Sequence, residues 1–128
     1  MIYGVGCDLC NIPRIAKAVD RQGFIDRVFT KKEQEYCTAR GEQRFASFAA
    51  RFAAKEAVLK ALGTGLRDGK LLDVEIIQND LGKPSVILHG AFLQLAEKLK
   101  ITNWQLSLTH EKDYAAAFAV LEVENETD

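Results

Sequence analysis

The sequence predicts an α+β fold in one compact domain spanning residues 1–128, and three observations carry that prediction. Residues 2–10 alternate with the two-residue period of a strand. From Pro13 to Leu62 the apolar positions fall at helical spacing. Beyond Leu72 the period returns to that of strands, broken by one further helical stretch. At 128 residues and 48% apolar composition, the chain can build a real but modest core.

In Ile2–Cys10, Tyr3, Val5, Cys7 and Leu9 point one way, and this side is expected to be core. Gly4, Gly6 and Asp8 point the other way, leaving a face bare until the carboxylate. Glycine inside a strand marks close approach, by a packed helix or by a ligand. Pro13 suits the first turn of a helix whose apolar side is Ile15, Ala18 and Val19. Arg14, Lys17 and Arg21, at i, i+3 and i+7, are expected to share another side. Phe24–Phe29 forms a short apolar turn or helix, and Thr30-Lys-Lys-Glu33 is a capping box opening a helix that ends near Gly41.

A long helix follows, from about Gln43 to a stop at Gly63 and Gly65. On it Phe45, Phe48, Phe52 and Leu59 share an apolar arc, with Glu56 in its middle and Lys60 one turn on. Leu72–Gln78 and Ser85–Leu88 read as strands around an Asn79–Pro84 turn. Gly90–Lys100 is helical, and Trp104–Thr109 and Tyr114–Val123 are strands joined tightly through His110–Asp113. Residues 124–128 are expected to be a loose acidic tail.

A net charge of −1 argues against general binding to nucleic acid or membrane. The charge is unevenly placed: Pro13–Arg44 holds eight basic against five acidic residues, and Glu111–Asp128 six acidic against Lys112 alone. The basic third suggests an acidic partner. No apolar run approaches the roughly 18 residues of a membrane span, and the start lacks the build of a signal peptide. Three cysteines without such a signal point to the cytoplasm. Cys7 and Cys10 form a C-x-x-C, but no second pair completes a zinc site, so the thiols are expected to be small buried residues.

The chemistry rests on Asp8, Glu56 and Lys60. A carboxylate on an apolar helix face needs a cation or donors to meet it. A plain i, i+4 pair with Lys60 is one answer. The aromatic flanks favour another, in which two carboxylates on separate elements hold a hard ion with phosphate. A nearby lysine then neutralises charge on a transferring phosphoryl group. This reading is a Mg²⁺–phosphate site of unspecified substrate.

Gly4-Val-Gly-Cys-Asp8-Leu-Cys-Asn-Ile-Pro-Arg14-Ile resembles the opening signature of the holo-acyl-carrier-protein synthases, the small bacterial type of phosphopantetheinyl transferase. Phe52-Ala-Ala-Lys-Glu56-Ala-Val-Leu-Lys60-Ala-Leu-Gly-Thr-Gly65 is similar to their second signature. Leu81-Gly-Lys-Pro84, Leu88-His-Gly90, Leu106-Ser-Leu-Thr-His110 and Asp113-Tyr-Ala follow in the family's order, so the likeness runs from Tyr3 to about Glu122. Cys7, Cys10 and Thr109 depart from the usual residues without removing a chemical group.

The resemblance implies a fold of phosphopantetheinyl transferase type, a mostly antiparallel sheet against a long helix and shorter ones. It implies transfer of the 4′-phosphopantetheine arm of coenzyme A to a serine of apo-acyl carrier protein, and a homotrimer with sites between subunits. By carry-over Asp8 and Glu56 hold Mg²⁺, Lys60 contacts phosphate, and Arg14 leads a docking face with Lys17 and Arg21. His110 is either a nucleotide contact or a turn residue. Gly63 and Gly65 either admit the ligand or merely end the helix. The base for the serine is a metal-held water or a carboxylate. A non-catalytic carrier-binding subunit of the same fold is the alternative, and a thiol redox protein a more distant one.

Overall fold

The computed structural model describes residues 1–65 and 69–124. The acidic tail expected at 124–128 therefore lies outside the described residues, except for Glu124, which is exposed. The chain runs β1 (Ile2–Asn11), α1 (Ile12–Val19), α2 (Gln22–Val28), α3 (Lys31–Thr38) and α4 (Arg44–Leu62). It continues through β2 (Val74–Gln78), β3 (Pro84–Leu88), α5 (Gly90–Lys98), β4 (Ile101–His110) and β5 (Tyr114–Val123). The strands form two antiparallel sheets, β1-β5-β4 and β2-β3. The α+β reading holds, with the second-half strands divided between the two.

Helix α4 is the axis of the molecule. Alanine fills much of it, and Ala49, Ala53, Ala54 and Ala57 are wholly buried. Ala115, Ala117, Ala119 and Leu121 on β5 are buried too. Small residues on both sides let a helix settle close to a sheet.

The closest approach is over β1. A Cβ placed on Gly6 would stand 2.0 Å from the Ala57 carbonyl oxygen, and one on Gly4 2.2 Å from that of Ala61. Helix packing thus accounts for both glycines. It also reverses the expected orientation of β1: the glycine face is the inner one. Alternation then sends the other side chains outward, and Val5 and Leu9 are 64% and 65% exposed. Cys7 is exposed with them, contrary to the expectation of a buried thiol, whereas Cys10 and Cys37 are buried. Cys7 pairs with Phe118 of β5, which is also exposed, so this sheet presents an apolar outer surface.

The helical block shows three further differences. Helix α1 is opened by the Asn11 side chain, which accepts from the Arg14 backbone N–H at 2.9 Å, and it stops at Val19. Arg21 is extended, φ −98° and ψ 114°, at the start of α2, so it shares no helical side with Arg14 and Lys17. Gly41–Gln43 form a separate 3₁₀ turn before α4. Nor does α4 have a single apolar arc: the sheet covers one side and the α1–α3 block and β2 the other, leaving Phe52, Glu56 and Lys60 on a partly open stripe. Glu56 therefore sits at the edge of burial, not in the middle of it.

The Thr30 capping box forms as expected, and Gly63 ends α4 in the left-handed conformation at φ +83°. No helix among the described residues is long and apolar enough to cross a membrane.

Candidate active site

Asp8 is the first side chain on the inner face of β1 after the two glycines. Their lack of side chains lowers α4 onto the strand, which brings Asp8 beside the Glu56–Lys60 turn. Lys60 Nζ donates to Asp8 Oδ1 at 3.1 Å and to the Cys7 carbonyl at 3.0 Å. It pairs across the chain with Asp8, not with Glu56 one turn back. The Asp8 hydrogen bond and then the Asp8 charge raise the Lys60 pKa above its ordinary value, so the ammonium stays protonated.

Glu56 is half-buried, and among the described residues no hydrogen bond or ion pair reaches its carboxylate. Burial raises its pKa and the neighbouring Asp8 raises it further, with Lys60 opposing. Two coupled carboxylates facing one cation that is already engaged make an oxygen donor set short of positive charge. Such a set fits a hard divalent ion that keeps water and phosphate as its other ligands.

Cys10 lies close enough to feel this charge. Burial first, and then the Asp8 carboxylate, push its thiol up to about 11, so it remains neutral. Cys7 and Cys10 point to opposite faces of β1. Three residues of strand span about 10 Å, beyond the reach of a disulfide. The C-x-x-C is not a redox couple.

His110 is not brought to these residues within the chain. It ends β4 and lines, with Arg40, Gln43, Ala46, Ser47 and Arg51, a cavity of about 160 Å³ near the start of α4. Ala46 and Lys60 are separated by roughly 20 Å of helix axis. Arg51, only 3% exposed, lies 4.0 Å over the Tyr36 ring and donates to Ser47 Oγ at 3.0 Å. Its Nε and the Gln78 Oε1 are buried without partners among the described residues. Sequence reasoning passed over Arg51 and Arg40; the signal available was an arginine on the inner side of an alanine-rich helix.

Gly63 and Gly65 both have positive φ, with nothing near the place of a Cβ. Their conformation is what requires glycine, and helix termination accounts for Gly63. Arg14 and Lys17 are exposed on α1, as is Arg21 beyond it.

Residues 4–119 match the model of the 4′-phosphopantetheinyl transferase superfamily, so the chain belongs to that superfamily. Among its relatives, the holo-[acyl-carrier-protein] synthase of Clostridium novyi is 45% identical over 98% of this chain and 91% of its own length. The crystal structure of the Neisseria meningitidis holo-[acyl-carrier-protein] synthase superposes with a TM-score of 0.86 at 36% identity, covering 95% of this chain and 99% of that one. The Bacillus anthracis holo-(acyl-carrier-protein) synthase, solved in complex with CoA (3′,5′-ADP), gives a TM-score of 0.80 at 35% identity, over 97% of this chain and 99% of that one.

Proposed function

We propose that this chain transfers the 4′-phosphopantetheine arm of coenzyme A to a serine of an apo-acyl carrier protein, at a site built on Asp8, Glu56 and Lys60. The observation that carries the reading is the coupled Asp8–Glu56 pair, poor in positive charge, beside a protonated lysine. Asp8 and Glu56 are the residues that would hold Mg²⁺, which supplies Lewis-acid neutralisation of the pyrophosphate when bound. In the transfer the serine oxygen attacks the phosphorus bearing pantetheine. A P–O bond to serine forms, the bond to the bridging oxygen breaks, the hydroxyl proton passes to a base that is either a carboxylate or a water beside the pair, and adenosine 3′,5′-bisphosphate leaves. Lys60 spends two of its three protons on Asp8 and Cys7, leaving one for a phosphate oxygen.

The cavity beside His110 suits the nucleotide end of coenzyme A: Arg40, buried Arg51 and His110 offer donors, and Gln78 an acceptor. It lies at the far end of α4 from Lys60, so one chain's His110 cavity serves a neighbour's carboxylates. A homotrimer with sites between subunits meets that requirement. The exposed apolar face of β1 and β5 is a surface for such assembly. Arg14, Lys17 and Arg21 form the dock for an acidic carrier protein, as separate contacts along α1 and the start of α2. Such charges chiefly steer encounter. The chain acts in the cytoplasm as one domain.

The decisive experiment incubates the protein with coenzyme A, Mg²⁺ and apo-acyl carrier protein and weighs the carrier. The expected result is a gain of one phosphopantetheine, absent on thorough chelation. An unmodified carrier, with a folded enzyme and authentic apo-carrier, overturns the reading.

A further inference from the structure

Lys55 precedes Glu56 and points into the core, where its side chain is wholly buried. Its ammonium has three protons and three acceptors: Glu33 Oε1 at 2.8 Å, the Leu71 carbonyl at 3.0 Å and the Val74 carbonyl at 2.7 Å. Glu33 is equally well met. Its Oε1 also accepts the Thr30 N–H at 2.8 Å, and its Oε2 accepts the Ile76 N–H at 2.9 Å. One ion pair thus ties the middle of α4 to the start of α3 and the entry to β2.

Replacing a buried ion pair by apolar groups is often neutral for stability, so tightness of folding is weak grounds for its presence. Fixed geometry is stronger. On the sheet side the Ala57 and Ala61 carbonyls rest over Gly6 and Gly4, which limits how near α4 comes to β1. Lys60 also holds α4 on this side, through its bonds to Asp8 and the Cys7 carbonyl. Lys55 fixes the rotation of α4 from the opposite side, because its three bonds run in fixed directions to α3 and the entry to β2. Glu56 is the next residue, about 100° round the helix, and among the described residues it has no hydrogen bond of its own to aim it. An ion site tolerates about 10–20° of misdirection in its ligands.

We infer that Lys55, through its buried pair with Glu33, is a positioning residue that sets the rotation of α4 and so aims Glu56 at the ion shared with Asp8. The inference rests on the proposed role of Asp8 and Glu56 as ion ligands.

The test uses Lys55→Met/Glu33→Gln, which removes both charges at nearly constant volume, and Glu33→Gln alone. Mn²⁺ binding in the presence of coenzyme A is read by electron paramagnetic resonance of the free ion. Thermal unfolding and the Michaelis constant for carrier protein are measured beside it. Loss of a group hydrogen-bonded directly to a metal ligand typically weakens a site by 10–100-fold; Lys55 acts one step further out, through the helix, so the double variant should bind Mn²⁺ at the lower end, about tenfold more weakly. The single variant should lose severalfold, and the carrier Michaelis constant should hold in both. A folded double variant with wild-type Mn²⁺ affinity overturns the inference. If the double variant does not fold, wild-type affinity in Glu33→Gln overturns it instead. Glu56→Gln separates the two levels. Wild-type Mn²⁺ affinity in Glu56→Gln means that the ion-ligand reading is wrong. Lost affinity there, with none lost in the Lys55 and Glu33 variants, sinks only the positioning role.

Discussion

Lys60 on α4 closes on Asp8 of β1 at 3.1 Å, joining elements far apart in sequence, while Glu56 on the same helix goes without that cation. The lysine thus partly neutralises one carboxylate of the pair and leaves the other exposed to its neighbour's repulsion. Lys60→Ala should slow transfer by about 10²-fold, the order associated with losing one preorganised charge contact. Steady-state rates with carrier protein saturating provide the check. A loss of thermal stability without a loss of rate would return Lys60 to a structural pairing.

Glu56 should make the fold less stable as pH rises. Its pKa is raised in the folded state, so the folded chain holds the proton more tightly than the unfolded one. Stability is therefore greatest below the ordinary carboxylate pKa and falls as pH climbs from there through the raised value. Glu56→Gln, with no charge to bury, should melt at a higher temperature than wild type at neutral pH. The gap should close as the pH is lowered through the carboxylate range. Added Mg²⁺ should raise the melting temperature of wild type more than that of the variant.

Gly6→Ala should be costly, because the new methyl meets backbone that cannot swing away. A Cβ there would lie 2.0 Å from the Ala57 oxygen and 2.8 Å from the Ala61 nitrogen. Overpacking of this kind costs about 1–3 kcal/mol, which thermal melting would show as a drop of several degrees. Gly82→Ala is a useful comparison: its space is open, and only its φ of +82° is adverse.

Mixed oligomers should report which residues act within one chain. Asp8 and Glu56 are coupled inside a single chain, so combining Asp8→Asn with Glu56→Gln subunits should recover nothing. Combining Asp8→Asn with His110→Ala subunits should recover activity, since some sites then unite an intact carboxylate pair with an intact neighbouring cavity. Equal failure of both mixtures, with exchange confirmed by mass, would place His110 in the site of its own chain, whereas full activity of His110→Ala alone would place it outside the site.

Arg14→Ala should raise the Michaelis constant for carrier protein severalfold and make it less sensitive to salt, with coenzyme A affinity unchanged. A collapse of coenzyme A affinity would assign Arg14 to the nucleotide instead.

Much of this was legible in the chain because local rules governed it. The Thr30–Glu33 cap, the Gly63 stop and the Tyr114–Val123 strand all formed where their residues signalled them. Asp8, Glu56 and Lys60 could be singled out because charge beside glycine or aromatic residues is conspicuous. What could not be read was decided between elements. Alternation in β1 showed two faces but not which one α4 would cover, and the helix needed the glycines. Lys55 and Arg51 carry no local signal, since a partner 22 residues away, as Glu33 is from Lys55, leaves no periodic trace. Arg21 was placed on α1 by spacing, whereas the backbone turned before reaching it.

Glu33 closes the capping box of α3 and also neutralises the buried lysine of α4. An eight-residue helix is too short to persist alone in water, so α3 depends on the core for its existence. Because one carboxylate serves both ends of that dependence, the first turn of α3 has no way to fray while the core stays closed. Amide hydrogens there, and that of Ile76, which Glu33 also receives, are tied to a single opening event. Their exchange with solvent should keep the pace of the whole molecule's unfolding, although α3 itself lies at the surface.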